Sequence, residues 1–427
     1  MKRRLFLLIQ LAITPIALSA FSNCFIHAAD AVATAGVDPV AELRAWVEAE
    51  PLSDDRLKTL VQQDFAGKAL TKEQASEVVS VLWTSRRSFL KQDRAEEVEK
   101  RELQIGELKM PFWYKVFGEK PESGRSLFIS MHGGGGAPAR VNDSQYENQK
   151  RLYQPEEGVY LVPRAPTNTW NLWHEGHIDD FFERLIVDMI AVEDVNPNRI
   201  YIMGYSAGGD GVYQLAPRMA DRLAAAAMMA GHPNETQPDG LRNIGFTLHM
   251  GGLDAAYSRN AVAEEWKTKL ADLQTSDPDG YKHFVQIHEG KGHWMDREDA
   301  VAVPWMAQFN RNAFPQKIVW LQDDIQHSRF YWIAAGDQPL PGGQKIVVEA
   351  NRGEQRINIL SCPVPSLVIR LHDGLMDLDK PVSVYFGGQE VSKVQVTRTT
   401  SAIATSLLQR SDPATVAYSE ITVEIPK

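Results

Sequence analysis

The sequence predicts an α/β fold: a mostly parallel eight-stranded sheet with helices on both faces, followed by an antiparallel β-sandwich-like domain. Three observations carry this. Between residues 103 and 314, short apolar runs alternate with helix-like segments. Strands that alternate with helices pair in parallel and are covered on both faces. From 316 to 427 the texture changes to short β-rich runs separated mostly by Gly, Pro, Asn or Asp, the pattern of a small sandwich. Finally, 44% hydrophobic and 23% charged residues over 427 positions describe a folded chain with apolar material for more than one core.

Taken in order, residues 1–29 read as a signal peptide. Lys2, Arg3 and Arg4 precede the apolar run Leu5–Leu18, which is short for a membrane span, contains Pro15 and leads into small residues. Cleavage fits best after Ala28 or Ala29, and the product is expected to be exported, periplasmic or extracellular. Losing the three basic residues deepens a net charge of −10, so no nucleic-acid partner is expected, because phosphate contacts need clustered Lys and Arg. Cys24 and Cys362 are the two cysteines. If Cys24 leaves with the leader, the core rather than an internal disulfide must supply stability.

Residues 38–102 predict a helical lead-in that packs on the main domain. Asp38–Pro39 and Thr71 are start signals, and Val78, Val79, Leu82, Phe89 and Leu90 fall on one helical stripe. Strand-like runs follow at 102–108, 112–118, 126–133, 159–165, 199–205, 224–231, 245–252 and 283–290, with helix-like segments at 143–154, 179–193, 206–222, 260–273 and 297–310. No helix separates the first two strands, so the sheet should begin antiparallel. In the last region "YFGGQEV" is a hairpin signal. Its expected role is a packing or spacer domain, with a carbohydrate- or surface-binding role as the sharper reading if Trp320, Tyr331 or Trp332 face outward.

The chemistry begins at Gly204-Tyr205-Ser206-Ala207-Gly208, a G-x-S-x-G run between a strand and a helix. The glycines permit a sharp turn that pushes the serine hydroxyl off the sheet edge, and the N–H of Ala207 at the helix start can donate to an oxyanion. A serine alone is a weak nucleophile and needs a base and an orienting acid. Asp254 follows the next-to-last strand and His293 the last one, in the order Ser, Asp, His that this elbow requires. His132 and the glycines 133–136 end an earlier strand, and Gly134 and Gly135 are the candidate oxyanion donors beside Ala207. His288 reads as a buried structural histidine, and Asp296, Glu298 and Asp299 as acids opening the final helix. In "PRAPTNTWNLWHEGH", Trp170, Trp173 and His174 lie after a strand on the same edge and are candidates, with Tyr205, for the substrate wall. No metal-like cluster and no phosphate loop stand out, so neither metal nor cofactor is expected.

On these motifs residues 125–310 resemble the α/β-hydrolase superfamily, and within it the secreted polyhydroxybutyrate-depolymerase and feruloyl-esterase-like group. The stretch from the Asp179–Asp180 pair through "NPNRIYIMG" and the elbow to the small-residue strand at 224–231 carries the likeness. The resemblance implies a serine hydrolase cleaving carboxylic esters, with Ser206 as nucleophile, Asp254 as acid, His293 as base, and Ala207 and a glycine of 133–135 as oxyanion donors. Its partner would be a small-molecule or polymeric ester. The disulfides usual in that group are not available to this chain. A prolyl-oligopeptidase-like peptidase shares the elbow, but its β-propeller does not fit in a lead-in of this length. A hydrolase fold kept for binding usually lacks the serine or the histidine, and this chain has both.

Overall fold

The computed structural model describes residues 38–336 and 340–426; the leader and Cys24 lie outside them. The first two helices start where the sequence offers side-chain caps. Asp38 caps α1 (Pro39–Glu48) and Ser53 caps α2 (Asp54–Val61). Thr71 and Gln74 close a capping box on α3 (Lys72–Asp93). The shorter α4 (Ala95–Lys100) then leads into the sheet.

The eight strands of that sheet are β1 (Glu102–Ile105), β2 (Leu108–Phe117), β3 (Arg125–Met131), β4 (Gly158–Pro163), β5 (Val195–Tyr205), β6 (Ala225–Met229), β7 (Gly245–Gly251) and β8 (His283–His288). Their spatial order is β1-β2-β4-β3-β5-β6-β7-β8. β1 and β2 are antiparallel, β2 is antiparallel to β4, and every pairing from β4 to β8 is parallel. This is the α/β-hydrolase arrangement. β4, β6 and β7 are buried along their whole length, as strands covered on both faces must be. Leu127, Ile129 and Met131 of β3 join one apolar core and Phe128 the other, with Tyr160, Tyr201 and Met203.

The intervening helices are α5 (Ala139–Gln149), α6 (His177–Val192), α7 (Ala207–Arg218), α8 (Arg259–Ser276) and α9 (Ala302–Met306). α5 begins earlier than 143–154 implied, and the segment expected as a helix over 297–310 is a 3-10 turn followed by the short α9.

The C-terminal region holds two further sheets. One has the order β16-β15-β13-β12-β9, from β9 (Lys317–Leu321), β12 (Lys345–Asn351), β13 (Arg356–Ser361), β15 (Val382–Phe386) and β16 (Gln389–Val394). The other has the order β10-β11-β14-β17, from β10 (Arg329–Phe330), β11 (Ile333–Ala334), β14 (Ser366–Leu371) and β17 (Ser419–Glu424). Alternate residues of β12 and β14 are buried, the period-two pattern expected of half-covered strands. Three features depart from expectation. β13 and β15 pair in parallel. The run 328–335 is split into two short strands around Tyr331, whose φ is 50°. A helix, α10 (Thr400–Gln409), packs on α2 and α3. Trp320, Tyr331 and Trp332 are core residues at 2%, 8% and 1% exposure, so they do not offer faces to an external sugar.

Residues Asp38–Lys427 form one compact unit. The lead-in is tied to α6, where Arg184 pairs with Glu97 and Arg87 donates to the Ala191 carbonyl. The C-terminal sheets are tied on by buried charge. The Asp412 carboxylate lies 2.7 Å from Arg222 and 2.9 Å from Arg311, all three fully buried. Arg410 reaches Asp221 at 2.7 Å and Glu183 at 2.8 Å. Burial alone would raise the Asp412 carboxyl; Arg311 and Arg222 more than offset it and hold it below the usual carboxylate range.

Candidate active site

Ser206 sits between β5 and α7 with φ 59° and ψ −121°, a left-handed backbone that costs energy in a non-glycine residue and persists only where its surroundings fix it. The flanking glycines explain the fixing. A Cβ on Gly204 would stand 2.1 Å from the Gly208 carbonyl oxygen, and one on Gly208 would stand 2.2 Å from that of Met131. Only glycine lets α7 start this close to β5 and β3. The Ser206 N–H donates to the Met229 carbonyl at 2.9 Å, tying the elbow to β6.

The loops after β7 and β8 bring the other two residues in. His293 Nε2 is 2.9 Å from Ser206 Oγ, and His293 Nδ1 is 2.7 Å from Asp254 Oδ2. Asp254 is buried, while the His293 side chain is 44% exposed. With the ionised carboxylate as acceptor, Nδ1 carries the proton and Nε2 is free to take one from the serine. This is the geometry in which an imidazole activates a hydroxyl. The Tyr205 hydroxyl donates to the His293 carbonyl at 2.6 Å and accepts from the Met295 N–H at 3.1 Å, pinning the histidine loop to the end of β5.

The glycine run passes beside the serine: a Cβ on Gly133 would meet the Ser206 Cβ at 3.2 Å. Asn142 of α5, fully buried, brackets the run. Its Oδ1 accepts from the Gly135 N–H at 3.0 Å and its Nδ2 donates to the Gly135 carbonyl at 3.1 Å and to Asn168 at 2.9 Å. The Gly135 N–H is therefore already used, which removes Gly135 from the expected oxyanion donors. Gly134 and the N–H of Ala207, in the unpaired first turn of α7, are left. His132 braces the same run from below. Its Nε2 accepts from the Ala165 N–H at 3.2 Å, so Nδ1 carries the proton and donates to the Gly133 carbonyl at 2.6 Å. Burial pushes its pKa down to about 4, which keeps the ring neutral.

A cavity of about 570 Å³ opens at the serine, lined by Gly133, Gly134, Ser206, His293, Tyr205 and Trp294, and on its far wall by residues of α5 and the turn after it, including Gln145, Asn148 and Arg151. Of the expected wall residues only Tyr205 lines it. Trp173 is fully buried, donates from Nε1 to the His132 carbonyl at 2.8 Å and packs against Gly211, so it supports the glycine run instead of touching a ligand. His174 is buried, and burial lowers its pKa to about 4. Trp170 is 64% exposed and lies against Gly136, outside this cavity. The residues the sequence did not single out are Asn142 and α5's inner face. Elsewhere, Glu235, Asp323 and Asp324 bring carboxylate oxygens within 4.8 Å of one another, the one such grouping among the described residues with the spacing to hold a cation.

No family model and no curated protein matches the chain. Solved structures do resemble it. A thermostable esterase is 18% identical with a TM-score of 0.38, over 49% of this chain and 62% of its own. Esterase PE8 is 18% identical with a TM-score of 0.33, over 46% of this chain and 97% of its own. A ferulic acid esterase is 14% identical with a TM-score of 0.33, over 48% and 95%. This chain thus spans less than two thirds of the first of these proteins. The fold assignment rests on the strand order and elbow described above.

Proposed function

We propose that the protein is a serine hydrolase that cleaves carboxylic esters. The observation that carries this is the hydrogen-bonded line from Asp254 through His293 to Ser206 Oγ, at 2.7 and 2.9 Å, on a strained elbow at the mouth of a cavity. In this reading Ser206 Oγ attacks the ester carbonyl carbon as its proton passes to His293 Nε2, and the N–H groups of Ala207 and Gly134 receive the oxyanion. The tetrahedral species collapses, and the leaving alkoxide takes the proton from His293. Water, deprotonated by the same nitrogen, then releases the acid and restores the serine. Asp254 holds the imidazole tautomer and stabilises its charged form. The leader-like residues 1–29 support export to a periplasm or the exterior, which N-terminal sequencing of the mature protein tests.

The test of the chemistry pairs a fluorophosphonate probe with p-nitrophenyl esters. The wild type is expected to be labelled on Ser206 and to turn over the esters. Ser206→Ala removes one oxygen, so folding should survive while kcat/KM falls on the order of 10⁴–10⁶. Retention of more than about a tenth of the activity by Ser206→Ala, or a label on another residue, rejects the assignment.

A further inference from the structure

The wall of the cavity facing the serine is not electrically neutral. No aspartate or glutamate lines it, and Arg151 does, in a chain whose acidic residues outnumber basic ones 55 to 45. Its neighbour Lys150 is matched by Glu147 at 2.6 Å. Among the described residues Arg151 has no ion pair. Its side chain is exposed and its one side-chain hydrogen bond is to Asn148 Oδ1, at a long 3.3 Å. Gln145, Asn148 and Arg151 are three residues apart, so they recur along one side of α5 and the turn that follows it. Gln145 stands at the Ser206 end, its Oε1 3.6 Å from the place of a Cβ on Gly133. At 1.5 Å per residue the Arg151 backbone lies roughly 9 Å beyond that of Gln145 along the helix direction, and its guanidinium reaches back to Asn148. Leu152, Trp294 and Tyr205 also line the cavity and give it apolar surface.

Resting on the ester-hydrolase reading, we propose that the substrate is an ester whose non-reacting end carries a carboxylate, and that Arg151 is the specificity-determining residue that receives it. An apolar stretch of substrate would lie against Trp294 and Leu152, the scissile carbonyl at Ser206 and the carboxylate at the guanidinium, with the Asn148 amide as a second donor. A guanidinium binds a carboxylate through two parallel N–H···O bonds, and a lone cation in a cavity of a net-negative protein selects the anion over its neutral isostere and speeds its encounter.

The test compares kcat/KM for monomethyl esters of dicarboxylic acids of increasing length with that for the matching monomethyl ester amides. A parallel arm uses acetyl esters of ω-hydroxy acids and of their amides, which tells whether the carboxylate belongs to the acyl or the alcohol side. In the wild type the acid-to-amide ratio should reach about 10- to 100-fold, the range for a hydrogen bond to a charged group, for chains long enough to span the wall, and should shrink as salt is added. The ratio should fall to near one in Arg151→Gln, be partly kept in Arg151→Lys, and drop below one in Arg151→Glu. Equal turnover of acid and amide by the wild type, or a ratio that Arg151→Gln and Arg151→Glu leave in place, overturns the proposal. A wild type that cleaves no ester and takes no fluorophosphonate label overturns the underlying reading as well; ester turnover without the charge preference removes only this one.

Discussion

At the carboxyl edge of the sheet, Asp254, His293 and Ser206 form a line in which one end, Asp254, is buried and the histidine is 44% exposed on its side chain. Behind the same sheet, Asp412, Arg222 and Arg311 meet where every side chain is fully buried, and Arg410 extends the cluster to Asp221 and Glu183. Both places gather charged groups around a turn after a helix or strand. In the second, carboxylates and guanidinium groups answer each other across segments far apart in sequence, and only Glu183, 32% exposed on its side chain, opens appreciably to solvent. In the first the chain stops short: Ser206, Gly134 and Arg151 line an open volume. A buried charge has to be matched from within the fold, whereas a site keeps groups whose partner arrives later.

That contrast can be broken from either side. The largest effect is expected at the open end. His293→Ala or Asp254→Asn should lower kcat/KM on the order of 10⁴-fold while the urea midpoint moves little; a large loss of stability with activity intact would place these residues among the structural ions instead. At the buried end the pattern should reverse. Asp412→Ala leaves the buried Arg311 without a carboxylate and Arg222 with Glu183 alone, and should cost about 3–5 kcal/mol in chemical denaturation, with ester turnover per folded molecule unchanged. An unaltered unfolding midpoint would mean that the seam is not a stabilising match.

Two smaller effects sharpen the boundary between these regions, because they concern residues that are buried yet serve the site. His132 titrates near about 4 in the fold and near about 6.5 unfolded. A depressed pKa gives stability that is full above the unfolded value and is lost as pH falls toward the folded one. Between pH 7 and pH 5 this residue should therefore cost about 2 kcal/mol, and His132→Gln should flatten the acid limb of stability by that amount. The opposite slope, with the variant more acid-sensitive, would mean a charged histidine in the fold. Asn142→Ala releases the glycine run. It should lower kcat on the order of 10-fold, less than the 10²–10³ of losing an oxyanion donor outright, with KM for small esters changed less. A pure KM effect would reassign Asn142 to ligand contact.

Much of the sheet could be read directly, because most buried strands are largely apolar runs and most turns between them carry Gly, Pro or Asn. Ser206, Asp254 and His293 were legible because strand ends fix where they emerge. What could not be read depended on partners distant in sequence. Trp173 looks like a loop tryptophan until Gly211, on α7, opens a slot for it. Gly135 looks like a free donor until Asn142 takes its N–H. α10 mixes Ser, Thr and Ile with Ala and Leu, a middling helical preference in a β-rich region, and it forms against α2, contributed from the start of the described chain. The inner side of α5 carries no motif at all; only the cavity gives Gln145 and Arg151 a meaning.

The buried seam also sets a clock. Arg222 waits for a carboxylate that is encoded 190 residues downstream. At a synthesis rate of 5–20 residues per second, that gap lasts roughly 10–40 s. Throughout it Arg222 has only Glu183 of α6 to answer it, at 3.0 Å and 32% exposed on its side chain, and lacks its fully buried partner. The buried match is therefore completed only when Asp412 arrives, so the last segments of the chain close a seam whose other side was made first.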